Sequence, residues 1–281
     1  MKKLLFLLIS FVAFQFAQAQ KKYSDKEVEA MKLQLSDAVG KHAKDIQVMV
    51  DQIFSYSELG FQEWETSAFI ISVLEKNGFT VEKGISGVPT AWMAKWGSGS
   101  PVIALGSDVD CIPKASQKPG VAYRAPIVDG APGHGEGHNS GQAVIIYAAI
   151  AMKEMMEKQK MPGTIIIWPG VAEELVATKA WYVRDGYFKN IDFILSPSPP
   201  LSIGLISIMI AKKNKAKFIY NVQEIYPDLL IKNGSLRSKN IIGALKWLEK
   251  YVHSSQSQRR SVLLLCASSG DENHPHHRAW R

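Results

Sequence analysis

Gly133-His134-Gly135-Glu136-Gly137-His138-Asn139-Ser140-Gly141 is the stretch around which the chain is organised. It sets a carboxylate and two imidazoles in glycine-rich backbone, immediately before a long helix-forming run. Glycine permits positive φ and tight turns, so neighbouring side chains can converge on one point. Glu136 and His138 are two apart and face one side of an extended segment. A hard oxygen and a borderline nitrogen on one side suit zinc or a similar divalent ion. Taken alone, the run equally fits a glycine-rich loop with solvated histidines.

Two further loops extend the pattern. Gly106-Ser107-Asp108-Val109-Asp110 follows the apolar run Val102–Leu105, and Val171-Ala172-Glu173-Glu174 follows Ile165–Trp168. Adjacent glutamates at a strand end can divide two jobs. One ligates a metal while its neighbour takes a proton from a water that the metal has made acidic. Such a pair also fits a solvated helix start, favoured by the helix dipole. Three such loops in order, each after an expected strand, point to one site.

The surrounding pattern is α/β. Ser24–Lys44 has Val28, Met31, Leu35 and Val39 at helical spacing, and Ser24 with Glu27 makes a capping box. Further helices are predicted over Asp45–Ser57, Glu63–Lys76 (closed by Asn77-Gly78), Ser140–Lys158 and Leu175–Asp185. Met152, Met155 and Met156 read as core filling. Strands are predicted over Phe79–Lys83, Thr90–Trp96, Val102–Leu105, Gly163–Trp168 and Ile191–Leu195. Alternation of this kind predicts a layered sheet with helices on both faces. Sites in such sheets lie beyond the carboxyl ends of strands, where all three loops fall.

Length and composition set the outer bounds. The 281 residues suffice for one large domain or two modest ones. The two cysteines, Cys111 and Cys266, make no disulfide framework. Lys2-Lys3, the apolar run Leu4–Phe16 and Ala17-Gln18-Ala19 form a signal peptide, residues 1–19, and predict export to a periplasm or the outside. No other stretch is apolar and long enough to span a bilayer. The net charge of +7 is uneven. Lys212–Arg260 holds eleven Lys/Arg against three Asp/Glu, a balance of +8, so the rest nets −1. These lysines lack interleaved aromatics, which argues for a solvated face and against a nucleic-acid partner.

Over residues 45–196 these motifs resemble the M20 metallopeptidase/amidohydrolase family, in the branch that includes aminobenzoyl-glutamate hydrolases. The resemblance rests on Glu58-Leu59-Gly60-Phe61-Gln62-Glu63, Gly106-Ser107-Asp108-Val109-Asp110-Cys111-Ile112-Pro113, the 133–141 stretch and Ala172-Glu173-Glu174. It implies a three-layer α/β zinc-exopeptidase-like catalytic domain, truncated, over residues 20–200. It implies two metal sites, zinc above all, and hydrolysis of an N-acyl amino acid or dipeptide-like amide. Glu136 matches a position where many relatives carry a cysteine ligand, and His138 matches the adjacent imidazole ligand. Glu173 matches the general base and Glu174 a metal ligand. Asp108 and Asp110 match the acidic motif that orients the site, Asp108 on the metal side and Asp110 with the catalytic group. Cys111 reads as a small buried hydrophobe, and the resemblance leaves His134 open, since relatives often carry it without a direct role.

The departures are equally specific. The family's next ligand is commonly a histidine, but this chain reads Leu195-Ser196-Pro197-Ser198-Pro199-Pro200 there. The family's inserted domain and last histidine ligand are not recognisable, and His253, His274, His276 and His277 stand in the wrong context. After Leu201 the resemblance changes. Residues 212–253, with a strand near Lys215–Val222 and an amphipathic helix over Ile241–Val252, resemble a short piece of a family 4 glycosyltransferase. Residues 254–281 read as a disordered tail. The alternative expectation is therefore a non-catalytic fusion or remnant. Oligomeric state is left open.

Overall fold

The computed structural model describes residues 23–175, 178–198, 208–209, 211–212, 216–222, 231–232, 234 and 236–255. Residues 1–19, expected to form a signal peptide, tail residues 256–281 and Pro199-Pro200 lie outside the described residues.

Three helices come first: α1 (Asp25–Lys41), α2 (Ala43–Tyr56) and α3 (Trp64–Lys76). The capping box expected at Ser24 is present: the Ser24 hydroxyl accepts the Glu27 N–H, and the Glu27 carboxylate accepts the Ser24 N–H. The start of α3 is capped from a distance. Glu58 accepts the N–H groups of Glu65 and Thr66 at 2.9 and 2.8 Å, satisfying donors that a helix start leaves open.

Four strands form the main sheet: β1 (Thr80–Lys83), β2 (Trp92–Ser98), β3 (Val102–Asp108) and β4 (Gly163–Gly170), in the spatial order β1-β2-β4-β3. The β1–β2 and β2–β4 pairs are antiparallel, and β3–β4 is parallel. The connection from β3 to β4 contains α4 (His138–Gln159), as a parallel crossover requires. Trp96 pairs with Ile165 and so shares its face, and the Lys153 ammonium of α4 lies 5.8 Å from the Trp96 ring. Trp168, on the opposite face, packs against Tyr182 of α5 (Thr178–Asp185) and against Phe188. The sheet thus has a helix on each face, the three-layer arrangement expected.

Several boundaries shift by a few residues from the sequence reading, and the end of β3 bears on the site. β3 was expected to end at Leu105 but runs on to Asp108, because Gly106, Ser107 and Asp108 continue the ladder with Trp168, Pro169 and Gly170. Backbone pairing overrides the weak strand propensity of Gly-Ser-Asp.

Beyond Asp185, β5 (Phe193–Ser198) pairs in parallel with β6 (Lys217–Val222) as a separate two-stranded sheet. This pairing crosses the boundary expected near residue 200. Asp192 ties the start of β5 to β3: its N–H donates to the Val102 carbonyl at 3.0 Å, and its carboxylate accepts the Val102 N–H at 2.7 Å. The helix expected over Ile241–Val252 is α6 (Lys239–Ser254).

The core gathers on β2, β4, α3 and α4, where Ala94, Ile70, Leu74, Ile146, Ile165 and Ile167 have no exposed surface. Ile167 stands opposite Ala94 on β2 and Leu105 on β3. Ile167→Ala should lower unfolding free energy by about 2–5 kcal/mol, from lost apolar burial plus the cavity left behind. Denaturant midpoints would test this, and a loss under about 1 kcal/mol would show that the centre of the sheet is not closely packed.

Candidate metal centre

Parallel pairing of β3 and β4 brings the loops after them to one end of the sheet, and the start of α4 meets them there. The α4 N-cap, Gly137, has φ 80°, a left-handed conformation that glycine takes readily. The helix therefore starts at His138, two residues earlier than expected. The Glu136–His138 convergence comes from this bend and not from extended alternation. His138 Nε2 ends 3.8 Å from Glu136 Oε2.

Glu136, His138, Glu173 and Glu174 each bring one donor atom into a group lying within 4.8 Å of one another. Glu173 and Glu174 sit on a single 3-10 turn, Glu173–Leu175, directly after β4 and Val171-Ala172. Glu174 Oε1 is buried and has no hydrogen-bond partner. A buried acceptor without a donor is costly, and a cation removes that cost. Burial, then the neighbouring charges of Glu136 and Asp110, raise the Glu174 pKa above the usual carboxylate range. The donor set, one imidazole nitrogen and three carboxylates, fits a divalent ion.

Asp110 organises these donors without joining the group. Its side chain is buried. Its backbone carbonyl lies 2.8 Å from His138 Nδ1, and a carbonyl only accepts, so Nδ1 carries the proton. In the neutral ring the Nε2 lone pair is then free on the side of Glu136. Asp110 Oδ2 accepts the Glu174 N–H at 3.1 Å. Burial pushes the Asp110 carboxyl up, but hydrogen bonds from His138 and the Glu174 backbone outweigh it and leave its pKa lowered.

Asp108, expected on the metal side, stands apart from the four-donor group. Its Oδ1 lies 2.7 Å from the Lys179 ammonium, which takes up the charge that a metal would otherwise meet. Burial raises the Asp108 pKa, and Lys179 offsets this only in part. Lys179 also reaches Glu173 Oε1 at 3.6 Å. Sequence reading did not single it out, since no spacing rule links a lysine on α5 to a carboxylate on β3.

The remaining candidates behave as structural groups. His134 Nε2 donates to the Ile53 carbonyl at 3.1 Å, and burial lowers its pKa. Cys111 is buried, and burial pushes its thiol up to about 12, so it stays protonated. Glu63, with no exposed surface, accepts the Ala172 N–H at 2.8 Å and the Thr90 hydroxyl at 3.0 Å.

No family model matches the chain. It is 32% identical over 173 residues to one of the subunits of the p-aminobenzoyl-glutamate hydrolase of Escherichia coli (strain K12), covering 62% of this chain and 36% of that protein. It is 31% identical over 169 residues to N-acetyl-L-cysteine deacetylase of Bacillus subtilis (strain 168), covering 56% and 37%. Among solved structures, the Bacillus subtilis YXEP protein, a dinuclear metal-binding peptidase from the M20 family, aligns with a TM-score of 0.44 and 24% identity, covering 56% and 43%. The chain spans little more than a third of the length of the two hydrolases it matches.

The pairing of His138 with Asp110 has a pH signature in chelated protein. Burial lowers the imidazole pKa, but hydrogen bonds to the Asp110 carboxylate and carbonyl raise it further, to about 9. The unfolded imidazole titrates near ~6.5. A raised folded pKa contributes stability that is complete below about 6.5 and is lost as pH rises through about 9. The melting temperature in EDTA should therefore fall between these values, and His138→Gln should remove that fall. An unchanged pH profile in His138→Gln would mean that the pair does not form.

Proposed function

We propose that this chain, whose homologues are amidohydrolases of the M20 family, is a metal-dependent amidohydrolase acting on an N-acyl amino acid or a dipeptide-like amide. One observation carries the reading: four donors from two loops lie within 4.8 Å of one another, among them the buried, unpartnered Glu174 Oε1. Glu136, His138 and Glu174 hold the ion, and zinc suits this nitrogen-and-oxygen set. Such an ion, when bound, polarises a carbonyl oxygen and lowers the pKa of water. The names of the two matched hydrolases, one acting on aminobenzoyl-glutamate and one on N-acetyl-L-cysteine, support an amide substrate.

The protein groups then divide the work. Glu173, the fourth member of the group, is partly exposed and serves as general base, leaving the other three to hold the ion. It takes a proton from the attacking water and returns it to the leaving amine nitrogen. The water oxygen ends on the carbonyl carbon as the C–N bond breaks. Lys179, 3.6 Å from Glu173 Oε1, orients that carboxylate, and Asp110 fixes the His138 tautomer. Lys2-Lys3, Leu4–Phe16 and Ala17-Gln18-Ala19 support export, with a processed chain starting at Gln20. Among the described residues no helix is long and apolar enough to cross a membrane.

A second reading is favoured by Leu195-Ser196-Pro197-Ser198, which carries no histidine where the family commonly has its next ligand. On that reading the chain is a non-catalytic remnant that holds one ion weakly or none. Elemental analysis of the purified chain separates the two. Tightly held zinc, lost in Glu136→Ala, supports the enzyme, whereas no metal above that variant's level supports the remnant. Glu173→Gln should retain the ion yet lose hydrolysis of N-acyl amino acids by about 10²–10⁴-fold, as expected for removal of a general base. Undiminished turnover in Glu173→Gln would remove Glu173 from the mechanism.

A further inference from the structure

The structure assigns to Glu63 the role of positioning residue for the Glu173–Glu174 turn, an inference that rests on the reading of that turn as part of a metal site. Ala172, the residue before the two glutamates, has φ 51°. This left-handed conformation is uncommon for a residue with a side chain, so the surroundings must hold it. Two contacts do so. The Ala172 N–H donates to Glu63 Oε1 at 2.8 Å. Gly60 lies so close that a side chain there would come within 3.0 Å of Ala172 Cα and 3.1 Å of its Cβ.

Glu63 is itself held in place. Its Oε2 accepts the Thr90 hydroxyl at 3.0 Å, and the Thr90 carbonyl accepts the Ser67 hydroxyl at 2.7 Å. The carboxylate thereby joins the start of α3, the loop before β2 and the turn after β4. On the other side of the turn, Asp110 accepts the Glu174 N–H at 3.1 Å. The two buried acceptors each take one backbone donor, and Glu173 and Glu174 project from the backbone between them. An apolar side chain would fill the place of Glu63 without the cost of burying a carboxylate. The acid therefore points to the N–H that it receives.

The test compares Glu63→Ala, Glu63→Asp and Glu63→Gln in the full chain, with two readouts. Aspartate keeps the charge but withdraws it by one methylene, whereas glutamine can still accept from Ala172 and donate to Thr90. The first readout is hydrogen exchange at residues 172–174 in chelated protein. The second is the affinity and visible spectrum of bound Co²⁺, taken well below each variant's melting temperature. Alanine and aspartate should speed exchange at Ala172 tenfold or more and weaken Co²⁺ binding about 10–100-fold, as for groups that support metal ligands from behind. Glutamine should restore both. If alanine does not fold, the aspartate–glutamine pair decides. Lower melting temperatures with unchanged exchange at 172–174 and an unchanged cobalt spectrum would overturn the assignment. If the parent protein binds no Co²⁺ while exchange still quickens in the aspartate variant, the metal reading fails and the hold of Glu63 on the turn stands.

Discussion

Asp110 is the residue on which the site depends. Its backbone carbonyl fixes the proton on His138, and its carboxylate takes the backbone N–H of Glu174. One residue after β3 thereby locks the start of α4 and the turn after β4. These elements are remote in sequence and meet only because β3 and β4 run parallel with α4 between them. The arrangement is electrostatically tense. Glu136, Glu173, Glu174 and Asp110 are close enough to repel, while Lys179 is occupied with Asp108 and lies beside Glu173 alone. Like charges brought together at low dielectric disfavour ionisation unless a cation joins them. Burial is the first cause of the raised Glu174 pKa, and the charges of Glu136 and Asp110 add to it.

The sequence exposed the elements better than the contacts between them. Every strand and helix read from periodicity is present, because burial on one face imposes a period whatever the tertiary detail. The metal group was legible through its glycines and paired glutamates. Asp108 stands outside the four-donor group for a reason that spacing does not carry. Its partner Lys179 lies on α5, and only the fold brings the two together. Glu63 and Glu58 escaped for a related reason. Local capping rules look for an acceptor beside the first helical residue, but α3 is capped by a carboxylate from seven and eight residues upstream. The residue in the N-cap position, Glu63, turns away and serves the turn after β4 instead.

The change of resemblance after Leu201 and the basic excess over Lys212–Arg260 set the later part of the chain apart in sequence, yet β6 pairs with β5 over six residues. Strand pairing is indifferent to the charge of the segments that it joins. Pairing alone does not make these strands part of the main sheet. What ties β5 to it is the reciprocal hydrogen bonding of Asp192 and Val102, at the end of β3 away from the metal donors.

The parallel β3–β4 pair also gives the sheet two ends of unlike character. All the donors gather at the carboxyl end. At the other, β2 turns into β3 through Ser98-Gly99-Ser100, three exposed residues separated from Asp110 by the whole seven-residue length of β3. A spectroscopic label or an affinity tag inserted there would sit at the end of the sheet opposite the four donors. It would report on the fold without touching the acidic end.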